Sequence, residues 1–281
     1  MNAAEEQDLS IAALYLHPVK SCAGIAVDEA LVVETGLEFD RAWMIVDADG
    51  VFVTQREFHH MALIQPSYAY GGLRISAPDM PDLLLPLTPD AADVPTRRVV
   101  VWKDTVEAVD QGDDAAAWLS RFLGSKLRLV KMADAYTRLT STSHTDQPAP
   151  VGFADGYPLL LAAESSLADL NDRLLAREKD ALPMNRFRPN IVITGSGAWE
   201  EDEWTRITVG GIPFDVVKAC ARCAITTVDQ ATGEVPDVEE PLGTLATFRK
   251  IPRGVLFGQN IIHRAVGEVC VGDTVTIESR K

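Results

Sequence analysis

The stretch Ala219-Cys-Ala-Arg-Cys-Ala-Ile-Thr-Thr-Val-Asp-Gln-Ala-Thr-Gly-Glu234 carries the densest chemistry in this chain of 281 residues. A C-x-x-C pair, Cys220 and Cys223, stands near its head. Three kinds of chemistry use that spacing. A structural zinc site needs a second ligand pair, but Cys22 and Cys270 are isolated and no two of the five histidines have finger-like spacing. A thioredoxin-type redox pair needs a βαβ setting with its first cysteine at a helix N-terminus. Here the pair precedes Ala224-Ile-Thr-Thr-Val228, a strand by composition. The third chemistry is a single thiolate, ligand or nucleophile, beside the cationic Arg222. Taken alone, the spacing leaves this reading level with a plainer one, in which both cysteines are small buried hydrophobes.

Outward from this stretch the chain is mostly β. Short β-rich runs fill the N-terminal third, at Ser10–Leu16, Ala42–Val46, Val51–Thr54 and Arg98–Trp102, separated by Gly, Asp and Pro. Asp49-Gly50 reads as a hairpin turn. Further strand-like runs follow at Asn190–Thr194, Trp204–Val209, Pro213–Val217 and Asp273–Glu278, and the glycines of 267–275 suit a curved pair of barrel strands. Two helices interrupt the pattern. One runs from about Asp114 to Leu123, closed by Gly124. The other runs from about Ser166 to Glu178, with Leu167, Leu170, Leu174 and Leu175 on one face and a capping pattern at Ser166 and Asp169. Between them, Ser141–Pro158 is rich in Ser, Thr, Asp, Pro and Gly and reads as a linker or mobile loop.

Composition narrows the function classes. With 47% hydrophobic residues the chain can bury a substantial core. Its formal net charge of −15 argues against a nucleic-acid surface, although a few arginines can still dominate a small concave site. No apolar run is long enough to span a membrane. The acidic, polar start, Met1 to Ser10, resembles neither a signal nor a transit peptide, so a cytoplasmic protein is expected. Adjacent His59 and His60 in an extended run would point to opposite faces and would not share a metal. No P-loop, G-x-G-x-x-G or Ser/His/Asp motif appears.

The 219–234 stretch resembles the signature of the MOSC domain, named for the C-terminal domain of molybdenum cofactor sulfurase. Leu256-Phe-Gly-Gln-Asn260 and Gly267-x-Val-x-Val-Gly-Asp-x-Val275 resemble its closing segments. Leu16-His-Pro-Val-Lys-Ser-Cys22, Gly36-Leu-Glu-Phe-Asp-Arg41 and Asn185-Arg-Phe-Arg-Pro-Asn-Ile-Val192 resemble the branch with an N-terminal MOSC-type β-barrel, which includes the mitochondrial amidoxime-reducing component and its bacterial relatives. The resemblance runs from about Leu9 to Ile277. It implies a mainly β fold with some α, in two closely packed β-barrel-like domains, the N-terminal barrel at 8–130 and the MOSC domain at 131–281.

The same resemblance implies a molybdenum cofactor (a pterin dithiolene) with Cys223 as catalytic residue and metal ligand, and Cys220 as a supporting residue. Lys20, Ser21, Arg41, Ser165, Ser166, Arg188 and Asn190 match positions that bind cofactor in the family, and Arg186 ranks below Arg188. The implied activity is reduction of N-hydroxylated substrates such as amidoximes, hydroxylamines and N-hydroxylated bases. Electrons are expected from a separate donor protein of ferredoxin, flavoprotein or cytochrome type, because the chain shows no flavin or haem motif and ends at Lys281 without a four-cysteine ferredoxin module. The alternative is a cofactor carrier or a persulfide-bearing sulfur carrier. In that case the sulfur comes from elsewhere, since the pyridoxal-phosphate desulfurase part of the full sulfurase has no counterpart here; pyridoxal phosphate attaches to the domain family only.

Overall fold

The computed structural model describes residues 8–87, 95–133 and 136–281. The reading of the acidic start therefore falls largely on residues, 1–7, outside the described ones. The largest sheet has nine strands. In order they are Ile25–Val27, Ser10–Leu16, Ile191–Thr194, Leu159–Ala163, Gly254–His263, Ile212–Arg222, Trp204–Val209 and Val275–Arg280, with Lys250–Ile251 also paired to Gly254–His263. The start of the strand Ser10–Leu16 meets the opposite end of the sheet. Ile11 donates to the carbonyl of Asp273, and Val275 to that of Leu9. The sheet thus curls around one core, in which Leu14, Leu161, Ile193, Trp204 and Phe214 are fully buried. Alternation in burial along Ile212–Val216 is what a half-buried, period-two strand requires.

The strands at 10–16 and 25–27 belong to this sheet although the rest of the N-terminal third does not. Trp43–Val46, Arg128–Met132, Asp104–Asp110 and Thr96–Val101 make a separate four-stranded sheet, and Gln65–Ala69, Gly72–Ser76 and Leu83–Pro86 a three-stranded one. Helix α1 (Asp113–Leu123) packs Ala115, Trp118 and Leu119 against their shared core and ends on Gly124, whose left-handed φ of 68° closes the last turn. The link between the two regions is the segment 17–22. Lys20 N donates to Trp43 O and Trp43 N to Pro18 O, so the chain passes directly from the large sheet onto the smaller one. Among the described residues no helix is long and apolar enough to cross a membrane.

Several local expectations are corrected. Ala224–Thr227 is a 3₁₀ turn rather than a strand. The hydroxyls of Thr226 and Thr227 donate to the carbonyls of Cys223 and Ala224, three residues back, so β-branched residues here tighten a turn. His59 and His60 open another 3₁₀ turn, His59–Leu63. Val51–Thr54 makes only isolated bridges. Gly267–Cys270 pairs with Glu29–Val33 and Val275–Arg280 with Trp204–Val209, so the two closing runs enter different sheets. Helix α2 spans Glu164–Leu175 and starts from Ala163, which leaves Ser166 inside the helix rather than capping it. Of the segment 141–158 only the second half is packed, since 141–148 is largely exposed and burial begins at Ala149. Phe153 is fully buried, and the Arg138 guanidinium donates to the carbonyls of Gly152, Ala154 and Asp155.

Candidate functional site

The long strand Ile212–Arg222 delivers Cys220, Arg222 and then Cys223 to the wall of a cleft. Cys223 is exposed and begins the 3₁₀ turn, which receives its hydrogen bonds on the Cys223 carbonyl and leaves the thiol free. Arg186 braces this turn from behind, donating to Thr227 O at 2.7 Å and pairing with Asp229 at 3.1 Å. The Arg222 guanidinium bonds Phe187 O at 2.7 Å and lies 3.0 Å from Cys220 Sγ.

Opposite the thiols is a cationic floor assembled from distant segments. Asn190 stitches three of them. Its Oδ1 accepts from Arg41 Nη1 at 2.9 Å and from Leu160 N at 3.1 Å, and its Nδ2 donates to Tyr15 O at 3.2 Å. Arg41 also pairs with the buried Asp40, whose other oxygen accepts from His17 N at 2.7 Å. Arg188 donates to Cys22 O, and Lys20 pairs with Asp155 and donates to Phe153 O at 2.8 Å. These bonds cross up to 175 residues of chain, so the floor exists only in the folded protein.

The electrostatics of the cleft oppose those of the whole chain. Among the described residues Lys20, Arg41, Arg56, Arg188 and Arg222 line it against one carboxylate, Asp155. Among the described residues Arg56, Arg188 and Arg222 have no carboxylate partner, and the buried Nε of Arg222 has no hydrogen-bond partner at all. Burial, with Arg41 nearby, pushes Arg188 down to about 10. Burial also lowers Lys20 from the usual ammonium value. For His17, burial and then the charges of Arg41 and Arg188 keep the ring neutral. Buried cations without counter-charges are costly unless something pairs with them. The backbone carries strain at the same place. Ser21, Arg41, Trp102 and Arg188 have left-handed φ of 63°, 48°, 57° and 54°, four of the nine such non-glycine residues among those described. That concentration marks a site whose geometry is imposed by its surroundings.

The family model described as MOSC N-terminal beta barrel domain matches residues 8–126, and the MOSC domain model matches 148–276. The chain is 35% identical to mitochondrial amidoxime-reducing component 1 of Mus musculus, over 95% of this chain and 81% of that protein. This chain belongs to the MOSC family. It is likewise 35% identical to mitochondrial amidoxime reducing component 2 of Homo sapiens, over 95% of this chain and 82% of the relative. Against molybdenum cofactor sulfurase of Oryza sativa subsp. japonica the identity is 31%, over 97% of this chain and 34% of that longer protein.

Within the MOSC framework, the cleft brings together Lys20, Ser21, Arg41, Arg188, Asn190 and Cys223. Ser165 and Ser166 do not line it. Ser166 is fully buried, its hydroxyl donating to the Glu201 carboxylate and accepting from Trp199 N, and Ser165 Oγ lies 3.3 Å from Ser196 Oγ. Helix α2 therefore turns these hydroxyls away from the cleft. Arg186 does not reinforce the floor beside Arg188, because Met184–Arg186 is a 3₁₀ turn and not an extended run. Sequence reasoning passed over Asp155, Arg56 and Trp102. A lone Asp in a Ser/Pro-rich run carries no signal of its own. The only pointer to Trp102 is a large aromatic at a hairpin tip, where polar residues are usual.

Proposed function

We propose that this chain is a reductase of N-hydroxylated small molecules that holds a molybdenum cofactor in the cleft, with Cys223 as the protein's ligand to the metal. The observation that carries the reading is an exposed thiol sharing one cleft with three guanidinium groups that have no carboxylate partner among the described residues, in a chain of net charge −15. The donor set fits such a group. A phosphorylated pterin dithiolene is anionic and planar, and guanidinium, ammonium, hydroxyl and amide donors are what it needs. A soft thiolate suits the metal.

Lys20, Ser21, Arg41, Arg188 and Asn190 would hold the cofactor, and Cys223 would face its metal. When bound, the molybdenum centre would supply the two-electron chemistry that cleaves an N–O bond. The chain's own residues contribute orientation and charge. Asp40 fixes the Arg41 guanidinium, and Asn190 fixes Arg41 to the strand beside it. The charges of Arg188 and Arg222, without carboxylate partners among the described residues, favour an anion in the cleft. Relatives named amidoxime-reducing components support the substrate class, and a separate redox protein is the proposed electron donor.

The experiment is metal and pterin per chain after expression in a host that makes molybdenum cofactor, followed by reduction of a panel of amidoximes, hydroxylamines and N-hydroxylated bases with an artificial donor. Near-stoichiometric molybdenum with turnover supports the reading. Absent molybdenum, in a host that loads a control enzyme, overturns it. Likeness to the cofactor sulfurases, together with the exposure of Cys223, favours a sulfur or cofactor carrier as the second reading. A persulfide on Cys223 by mass spectrometry, or tight cofactor without turnover, would select it.

A further inference from the structure

The side of the cleft mouth away from the cationic floor has a different chemistry. Trp102, at the tip of the hairpin joining Thr96–Val101 to Asp104–Asp110, is 45% exposed and holds a left-handed φ of 57°. Its indole N–H donates to Asp155 Oδ1 at 3.0 Å, the Arg56 guanidinium lies 5.0 Å from its ring centre, and Phe52 packs against it at 5.0 Å. Asp155 Oδ1 also takes the Lys20 ammonium. Among the described residues Asp155 Oδ2 accepts nothing, although the side chain is 67% exposed and a carboxylate oxygen has two lone-pair sites. The chain thus fills one oxygen of Asp155, the one carboxylate among the described residues of the cleft, and leaves the other open, next to an exposed aromatic surface held in a strained conformation.

We propose that Trp102 and Asp155 form the substrate-discriminating wall of the cleft, selecting planar conjugated N-hydroxylated amidines over simple hydroxylamines. This rests on the reductase reading above and names the subclass that the cleft prefers. Such a ligand carries an NH₂ group that donates to Asp155 Oδ2 and a flat π-system that lies on the exposed part of the indole. A simple alkyl hydroxylamine offers no such plane and gains little from either residue. Lys20 links this wall to the floor, because the same ammonium holds Asp155 and lines the cleft. Both residues are specificity-determining and neither takes part in bond cleavage.

The test has two arms. The first is binding, read by tryptophan emission from the full-length protein titrated with benzamidoxime and, separately, with methylhydroxylamine. Trp43, Trp118 and Trp204 are buried and Trp199 is half-buried, so ligand quenching reports chiefly on Trp102. Benzamidoxime quenches saturably, methylhydroxylamine does not, and Asp155→Asn weakens the isotherm about tenfold through loss of a charge-assisted hydrogen bond. The second arm is turnover, as the ratio of kcat/KM for benzamidoxime over methylhydroxylamine, measured on one preparation so that cofactor loading cancels. That ratio falls about tenfold in Trp102→Leu and in Asp155→Asn. No quenching of the native protein by benzamidoxime, or a ratio unmoved in both variants, overturns the proposal. A protein without molybdenum or turnover defeats the reductase reading, while the binding arm still decides this one.

Discussion

The Ser166 hydroxyl and the Glu201 carboxylate meet inside the protein, at 2.7 and 2.8 Å from the two carboxylate oxygens, with both residues fully buried. Ser166 Oγ simultaneously accepts from Trp199 N at 2.8 Å. Its single donor proton is spent on tying helix α2 to the 3₁₀ turn Glu200–Asp202, and none is left for an anionic ligand. Ser166→Ala strands a buried carboxyl and a buried N–H, and the expected loss is about 1–3 kcal/mol of stability. Thermal unfolding measures it. Molybdenum content of the folded fraction stays at the native level, and a selective fall in molybdenum would return Ser166 to the cofactor site.

Glu201 gives that region a pH dependence. Burial raises its carboxyl from 4.5 to about 7, against the opposing hydrogen bond from Ser166. The folded state then holds a proton that the unfolded chain releases, so stability falls as pH rises from 4.5 to about 7 and levels off above. The total is on the order of 3 kcal/mol. Relative to Glu201→Gln, which cannot ionise, the native protein loses denaturant midpoint across this window. A difference that is flat with pH would show that the carboxyl titrates normally.

Cys223→Ala separates chemistry from folding. Among the described residues the thiol has no hydrogen-bond partner, and the following turn uses only the Cys223 carbonyl, which alanine retains. Stability changes by no more than about 0.5 kcal/mol, while molybdenum and activity are lost. Cys220→Ala costs Arg222 a 3.0 Å contact and leaves its bond to Phe187 O, so the metal is retained. If both variants lose metal equally, the two thiols act as a pair.

The elements most legible in the sequence were those set by long-range periodicity. Ser10–Leu16, Trp204–Val209 and helix α1 stand within a residue or so of where alternation and the Gly124 stop signal place them. What misled was chemistry at short range. Thr226 and Thr227 look like strand residues until their hydroxyls are seen bonding the backbone of a tight turn. Ser166 and Asp169 look like a capping pair, but the helix begins at Glu164. The two sides of the cleft differed in the same way. The motifs at 16–22, 36–41 and 185–192 carried the cationic floor, whereas Asp155 acquires meaning only because folding sets Lys20, 135 residues earlier, against it.

Arg188 is predicted to serve the ligand and not the fold. It is a buried guanidinium with no carboxylate partner among the described residues, so removing its charge relieves a desolvation penalty. In protein made without molybdate, Arg188→Gln leaves Tm unchanged or raises it. In cofactor-loaded protein, molybdenum retained after prolonged dialysis falls about tenfold, the loss expected for one charge-assisted contact to an anion. A large drop in the Tm of the cofactor-free variant would instead make Arg188 a structural residue.

Gly152 decides whether the 150–158 segment can reach the site. A Cβ there would stand 2.8 Å from the Arg41 carbonyl oxygen, the same oxygen that accepts Phe153 N at 2.8 Å. That neighbour is backbone and cannot swing aside. Gly152→Ala therefore pushes the segment off Arg41, at a cost of about 1–3 kcal/mol for overpacking. The displacement also carries Asp155 away from Lys20, since Arg138 holds the carbonyls of residues 152, 154 and 155 as one unit. The expected result is a lower Tm together with reduced molybdenum per folded chain. Stability loss with full molybdenum would show that the floor keeps its shape without Asp155. Native stability and loading would show that the segment packs less tightly against Arg41 than its hydrogen bond implies.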